Sequence, residues 1–426
     1  MTRILSLTPK LTSIELHVDS CPTLSDFDNL KELKTFELNM LSCDMATRFS
    51  AATFARLFSR IDHLRLVMPP VALEVSMNDL PETDPWVMRV MEIEPEAIPL
   101  SSKCEELKEL VISCDRIFEQ VSMRPIMACK KLEVLRLRVG VASLRDHTEV
   151  ITSIATLRCL EVTVETPEEI EFLQADESTV DLPLASLDTV IIIHTHRGAP
   201  ASSPGFCKIY RSILNSRPNL KRFCVEGADV NPLLVFQEPG QESRHAQWVC
   251  ADLEHLSLTL SWPASSNKTA EEMRRRWDAV FIQIDKLEHL KSLSIESEDL
   301  GEYPGHGFLQ YCHHLSHLES LVLAAPGPTH AWREPQIDSL LARCPRLRTL
   351  DLGCLKDANG EAIKEWLKKN HREYVDLTFN EEDFDDGNCS EYGDDDGKKN
   401  EGYSEYDYGV YEDDVYEEYE EEEDVY

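Results

Sequence analysis

One apolar phrase, ideally Leu-x-x-Leu-x-Leu, recurs from the first residues of this chain to nearly the last, and it dictates the architecture. It reads Leu11-x-x-Ile14-x-Leu16, Leu33-x-x-Phe36-x-Leu38, Ile61-x-x-Leu64-x-Leu66, Leu107-x-x-Leu110-x-Ile112, Leu132-x-x-Leu135-x-Leu137 and Leu157-x-x-Leu160-x-Val162. It continues as Leu187-x-x-Val190-x-Ile192, Leu220-x-x-Phe223-x-Val225, Leu253-x-x-Leu256-x-Leu258, Leu290-x-x-Leu293-x-Ile295, Leu318-x-x-Leu321-x-Leu323 and Leu347-x-x-Leu350-x-Leu352. Self-similarity of this kind marks a solenoid, in which each unit buries its apolar side only against its neighbours. The last two apolar positions of the phrase are two apart, so they face one side of a short strand while the residue between them faces the other. Stacked units therefore make a parallel sheet with a continuous core behind it.

The first Leu or Ile of each phrase serves as an anchor. Successive anchors are 22 to 37 residues apart, apart from one gap of 46 between Ile61 and Leu107. Most spacings lie at or above the 20–29 residues of leucine-rich repeats. The returns between strands read as helices. Thr269-x-x-Glu272 has the spacing of a capping box and precedes Met273, Trp277, Val280, Phe281 and Ile284 at helical intervals. Phe54–Phe58, Ile337–Leu341 and Ala362–Leu367 read the same way. The class is α/β: a leucine-rich-repeat solenoid, a horseshoe with the parallel sheet concave and helices on the convex face. About twelve irregular repeats occupy residues 1–379, with a Pro-rich, acidic insertion near 69–100. Gly198–Pro204 and Pro232–Glu242 read as further loops, and Tyr374–Phe379 as a terminal capping strand.

Residues 380–426 are a different polymer. From Glu381 to Tyr426 there are 22 Asp and Glu against Lys398 and Lys399, a net of -20 out of the chain's -35. Eight tyrosines (Tyr392, Tyr403, Tyr406, Tyr408, Tyr411, Tyr416, Tyr419 and Tyr426) are spread through the acid. Such a segment lacks the apolar periodicity to fold and is expected to be disordered. The remaining -15 argues against direct nucleic-acid binding, which needs clustered Lys and Arg. No stretch approaches the roughly 18 apolar residues of a membrane span, and the first nine residues carry no signal-peptide core. Thirteen cysteines, an odd number without framework spacing, read as reduced thiols of a cytoplasmic or nuclear protein.

Cys104, Cys129, Cys250 and Cys344 each stand three residues before an anchor. The segment Cys344-Pro345-Arg346-Leu347-Arg348-Thr349-Leu350-Asp351-Leu352-Gly353-Cys354 resembles the cysteine-containing, ribonuclease-inhibitor-like repeats of F-box proteins, particularly fungal ones. That resemblance spans residues 1–379. It implies a substrate-recognition protein related to SCF ubiquitin ligase receptors, with a protein partner on the concave face and a ubiquitin-ligase adaptor as a second partner. The family places a helical F-box ahead of its repeats; here the first phrase starts at Leu11, so the F-box itself is expected to be missing.

Side-chain chemistry agrees with an interaction protein. His194, His196, His313, His314 and His317 lack the Cys or carboxylate set that completes a metal site and read as solvated or loop histidines. Cys-x-x-Cys never occurs, and no nucleophile elbow, phosphate loop or zinc-protease helix is present. No cofactor, metal or catalytic residue is expected, and the chain reads as a non-enzyme. The positions between the phrase's last two apolar residues, and those two further on, face the concave side. Among them Arg65, Arg136 and Arg138 suggest a small basic patch beside Val67, Val111, Ile191 and Ile193, our candidate partner-binding residues. A different reading makes the chain an acidic-tailed chaperone or regulator of basic proteins such as histones.

Overall fold

A computed structural model describes residues 10–18, 30, 32–40, 61–67, 107–114, 129–139, 144, 148–175, 184–194, 203–238, 241–245, 248–262, 269–297, 303–324, 332–353 and 357–378. The insertion near 69–100, the helix expected at Phe54–Phe58 and the acidic tail 380–426 lie outside these residues.

Each phrase is a strand. The strands are β1 (Ser13–Val18), β2 (Thr35–Met40), β3 (His63–Val67), β4 (Glu109–Cys114), β5 (Val134–Val139), β6 (Cys159–Val164) and β7 (Thr189–His194). They continue through β8 (Arg222–Val230), β11 (His255–Leu260), β12 (Ser292–Ser297), β13 (Ser320–Ala324), β14 (Thr349–Asp351) and β15 (Asp376–Thr378). All thirteen lie in one sheet in chain order, every neighbouring pair parallel. The chain is an α/β leucine-rich-repeat solenoid.

The anchors form the spine of the core. Leu107, Leu132, Leu157, Leu187, Leu220, Leu253, Leu290, Leu318 and Leu347 are all 0% exposed. Burying each contributes about 1.5–3 kcal/mol. A tight turn sets the approach to Leu33 and to every anchor from Leu132 to Leu347, whose N–H donates to the carbonyl three residues earlier, as in Leu132 to Cys129, Leu253 to Cys250 and Leu347 to Cys344, each 3.1 Å. Position minus three is therefore buried, and a compact apolar thiol fits it as well as Leu30, Ile154 or Leu287 does. Cys129, Cys159, Cys207, Cys224, Cys250, Cys312 and Cys344 are free thiols, and burial pushes the Cys250 thiol up to about 12 and that of Cys344 to about 11. Arg217 takes this slot once, buried, its guanidinium donating to the carbonyls of Leu184 (2.7 Å) and Leu173 (3.1 Å).

The residue after each anchor joins the units. Its carbonyl accepts two N–H groups of the next unit, as Thr12 does from Lys34 (2.8 Å) and Thr35 (3.0 Å), and Glu319 does from Arg348 (2.7 Å) and Thr349 (3.1 Å). Its side chains run Lys34, Asp62, Lys108, Glu133, Arg158, Asp188, Lys221, Glu254, Lys291, Glu319 and Arg348, cation and anion in strict alternation. Parallel in-register stacking brings equivalent residues about 4.8 Å apart, where like charges repel and opposite charges attract. Pairs close at Lys34–Asp62 (3.7 Å), Arg158–Asp188 (2.6 Å) and Lys291–Glu254 (2.5 Å).

Helices and turns cover the apolar face. They are α1 (Thr148–Thr152), a 3-10 turn (Pro167–Leu173), α2 (Pro204–Ser216), α3 (Pro232–Phe236), α4 (Ala270–Ile284), α5 (Tyr303–Tyr311), α6 (Glu334–Arg343) and α7 (Asp357–Lys369). Thr269 caps α4 as its spacing predicts, accepting from the Glu272 N–H. Trp277 stacks on Phe281, whose ring meets Phe308 edge-on and ties α4 to α5. No described helix is long and apolar enough to cross a membrane. One expectation is corrected: Pro232–Glu242 is not a plain loop but contains α3 and the first strand of a small antiparallel hairpin, β9 (Gln237–Glu238) with β10 (Gln241–His245). Asn231 starts α3 by accepting from the Leu233 N–H with its side chain, and Phe236 is buried against Trp248. Turn-forming residues there signalled a helix start rather than its absence.

Candidate functional site

The open face of the sheet carries one transverse row per strand position. In register, the central row reads Glu15, Glu37, Arg65, Val111, Arg136, Glu161, Ile191, Cys224, Ser257, Ser294, Val322, Asp351 and Thr378. Two residues further along each strand, Asn39, Val67 and Ser113 lie side by side, as do Thr163, Ile193 and Glu226. Arg138 follows Arg136 on the same strand and lies beside Ser113. All seven candidate residues thus fall on β3, β4, β5 and β7, one contiguous part of this face.

Their charges are organised around carboxylates. Arg65 pairs with Glu37 at 3.0 Å. Glu161 is 2% exposed, yet Arg138 and Arg136, half exposed above it, both converge on it. The Arg138 Nε donates to Glu161 Oε1, and the Arg136 Nε stands 3.7 Å from Oε2. A buried carboxylate requires such partners, because an unpaired charge out of water is heavily penalised. Beside this cluster, Ile191 is buried and Val111 and Ile193 are half-buried. Cys224 and Cys159 extend the apolar ground; burial raises both thiols, against the opposing pull of Arg222 on Cys224 and Arg136 on Cys159. The basic patch read from the sequence is thus three arginines engaged with Glu37 and Glu161 rather than free cations.

From β11 to β14 the same face changes character. Ser257, Ser292, Ser294, Ser320 and Thr349 present half-buried hydroxyls, with Val322 among them. A structural break separates the halves. Between Ser257↔Cys224 and Thr259↔Asp229 the register of β8 slips, setting four of its residues, Val225 to Ala228, against Leu258 alone. Gly227 occupies that bulge at φ +76°, and a Cβ there would lie 2.6 Å from the His194 carbonyl oxygen. Only glycine fits.

His194 is itself a correction. The sequence reading grouped it with solvated histidines, but it ends β7 in the core, 5% exposed. Its Nε2 lies 2.6 Å from the Tyr210 hydroxyl and its ring 4.6 Å from that of Phe206. Burial lowers its pKa to about 4, so it is neutral at physiological pH. The period-2 alternation that places Val190 and Ile192 inside also places His194 inside, and that signal was available. His313 and His314 are exposed and His317 is half-buried: His314 Nδ1 meets Asp285 at 2.8 Å, and His313 Nδ1 meets Arg343 at 3.1 Å. His196 lies outside the described residues.

No family model matches the chain, and no curated protein matches it. Among solved structures, a chain of the Toll–Spatzle complex of Drosophila aligns over 81% of this chain at 10% identity and TM-score 0.32. A chain of the TLR13–ssRNA13 complex aligns over 80% at 13% identity and TM-score 0.25. This chain spans 43% of the first and 55% of the second.

Proposed function

We propose that this chain is a non-enzymatic protein-interaction scaffold that receives a partner protein on the open face of its sheet, as F-box-type leucine-rich-repeat receptors of ubiquitin ligases do. One observation carries the reading. Across β2–β7 the open-face row mixes arginines, paired carboxylates and aliphatic side chains on a continuous parallel sheet, the composition that suits a protein interface. The F-box lineage is supported by Cys129, Cys250 and Cys344 in the same buried turn position. Recovery of the ligase adaptor with the full chain from a native extract is the expected result for that lineage. Partner capture without adaptor would leave a recognition scaffold outside the ligase.

A second reading rests on the -20 net charge from Glu381 to Tyr426, which suits basic partners such as histones. Deleting residues 380–426 separates the two. Binding that survives the deletion and tolerates salt belongs to the sheet face; binding that vanishes, and weakens steeply with salt before the deletion, belongs to the tail.

A further inference from the structure

We infer that the Arg136–Arg138 ridge and the neighbouring Ile191–Ile193 floor form the docking site for an extended protein segment that bears a carboxylate three residues from an aliphatic or aromatic side chain. This rests on the open face being the recognition surface and specifies what it recognises.

The argument starts from Glu161. Two guanidiniums, offering five N–H donors each, converge on this one buried carboxylate, and its only hydrogen bond from them is the one donated by the Arg138 Nε. Arg136, which also hydrogen-bonds the Cys159 thiol, and Arg138 are 44% and 56% exposed at the side chain, so the ridge stands open to solvent. The pair of arginines carries one more charge than Glu161 cancels. A guanidinium held from below by a buried anion is pre-oriented, which lowers the cost of engaging a second carboxylate from above.

The surroundings select the occupant. Glu37, Glu161 and Glu226 flank or underlie the ridge and repel a polyanion, whereas a single carboxylate meets only the arginines. Two strands from β5, Ile191 and Ile193 offer apolar ground that a carboxylate alone would leave uncovered. Two strand spacings of ~4.8 Å make ~10 Å, which three residues of a polyproline-II segment nearly span at ~3.1 Å each. Its three residues per turn point positions i and i+3 the same way, so an acid and an apolar side chain at that spacing in a segment crossing the strands reach both features together.

The test is selection of a phage-displayed random peptide library on the full-length chain. Enriched peptides are then measured against three variants whose folding is checked by thermal unfolding. The first is R136S/E161Q/R138S, which removes the ridge without orphaning a buried carboxylate; the second is Ile193→Ser; the third is S257R/S294R, on the other half of the face. The expected result is convergence on an acid three residues from an apolar side chain. Affinity should fall about tenfold or more in the first variant, several-fold in the second and little in the third. Peptides that lack a carboxylate, bind the first variant unchanged, or fail to enrich at all would overturn the inference. Peptides lost only in S257R/S294R would overturn it while leaving open-face recognition standing, and peptides lost in neither half would remove both.

Discussion

The two halves of the sheet share one interior and differ on their exterior. Behind β2–β7 and behind β11–β14 the anchors and the residues three further on are interchangeable: Leu132 and Leu135 on one side, Leu290 and Leu293 on the other, all fully buried. In front, the first half presents Arg65, Arg136, Arg138, Glu161, Ile191 and Ile193, and the second presents Ser257, Ser292, Ser294, Ser320 and Thr349. Alternation along a strand makes this possible, because a residue on one face exerts almost no packing constraint on its neighbour facing the other way. The repeat spends its regularity on folding and leaves the open face free for recognition.

Substitutions should expose that division, beginning with the interior. Leu135→Ala and Leu293→Ala should each cost about 3 kcal/mol, in either half alike, while Ser294→Ala should stay within about 0.5 kcal/mol. Urea unfolding measures all three, and a Leu293→Ala cost well below that of Leu135→Ala would break the claim of a common core.

Acid should act at the boundary between the halves. His194 has a folded pKa lowered by burial to about 4 against an ordinary 6.5, so protons bind the unfolded chain more readily. Its contribution is fully present above about pH 6.5 and is lost as pH falls toward 4, by up to about 3 kcal/mol. The His194→Gln variant should show a shallower decline over that window. Equal slopes for the two proteins would mean that His194 is not the titrating group.

The exterior halves should differ from each other next. Replacing Arg136 and Arg138 together by Ala leaves Glu161 buried without a cation and should cost about 2 kcal/mol, whereas S257A/S294A should cost almost nothing. Restoring stability by adding Glu161→Gln to the arginine variant would sharpen the point; no recovery would contradict the role given to Glu161.

The smallest effect belongs to the alternating charges that run through both halves. Asp188→Lys would place three cations in succession with Arg158 and Lys221, and should cost about 1 kcal/mol at low salt, much of it recovered at high salt. A salt-independent loss would point to packing instead.

These contrasts also mark what the chain's sequence makes legible. The phrase predicts strand, register and the inward Leu positions, because a period of two within each unit and a fixed period between units leave few alternatives; Phe36, Leu160 and Leu350 lie where it puts them. The Thr269 cap was legible through a local rule that needs no tertiary knowledge. The fate of Arg136 and Arg138 was not, because their partner is twenty-three residues or more away on the next strand and only the register brings Glu161 between them. The bulge at Gly227 depends on a backbone approach to His194 that no pattern within β8 announces. The alternation from Lys34 to Arg348 lay in plain view, but it emerges only when every unit is aligned on its anchor.

The central claim, that recognition lies on the β2–β7 half of the open face, is tested most directly by placing a photo-crosslinking phenylalanine analogue at Val111 and, separately, at Val322 of the full-length chain. Both are half-buried positions of the same row, on opposite sides of the β8 bulge. Irradiation in a native extract should give a discrete crosslinked protein from Val111 and none from Val322. Crosslinking from Val322 alone, or from neither position while the chain still captures its partner, would contradict the account.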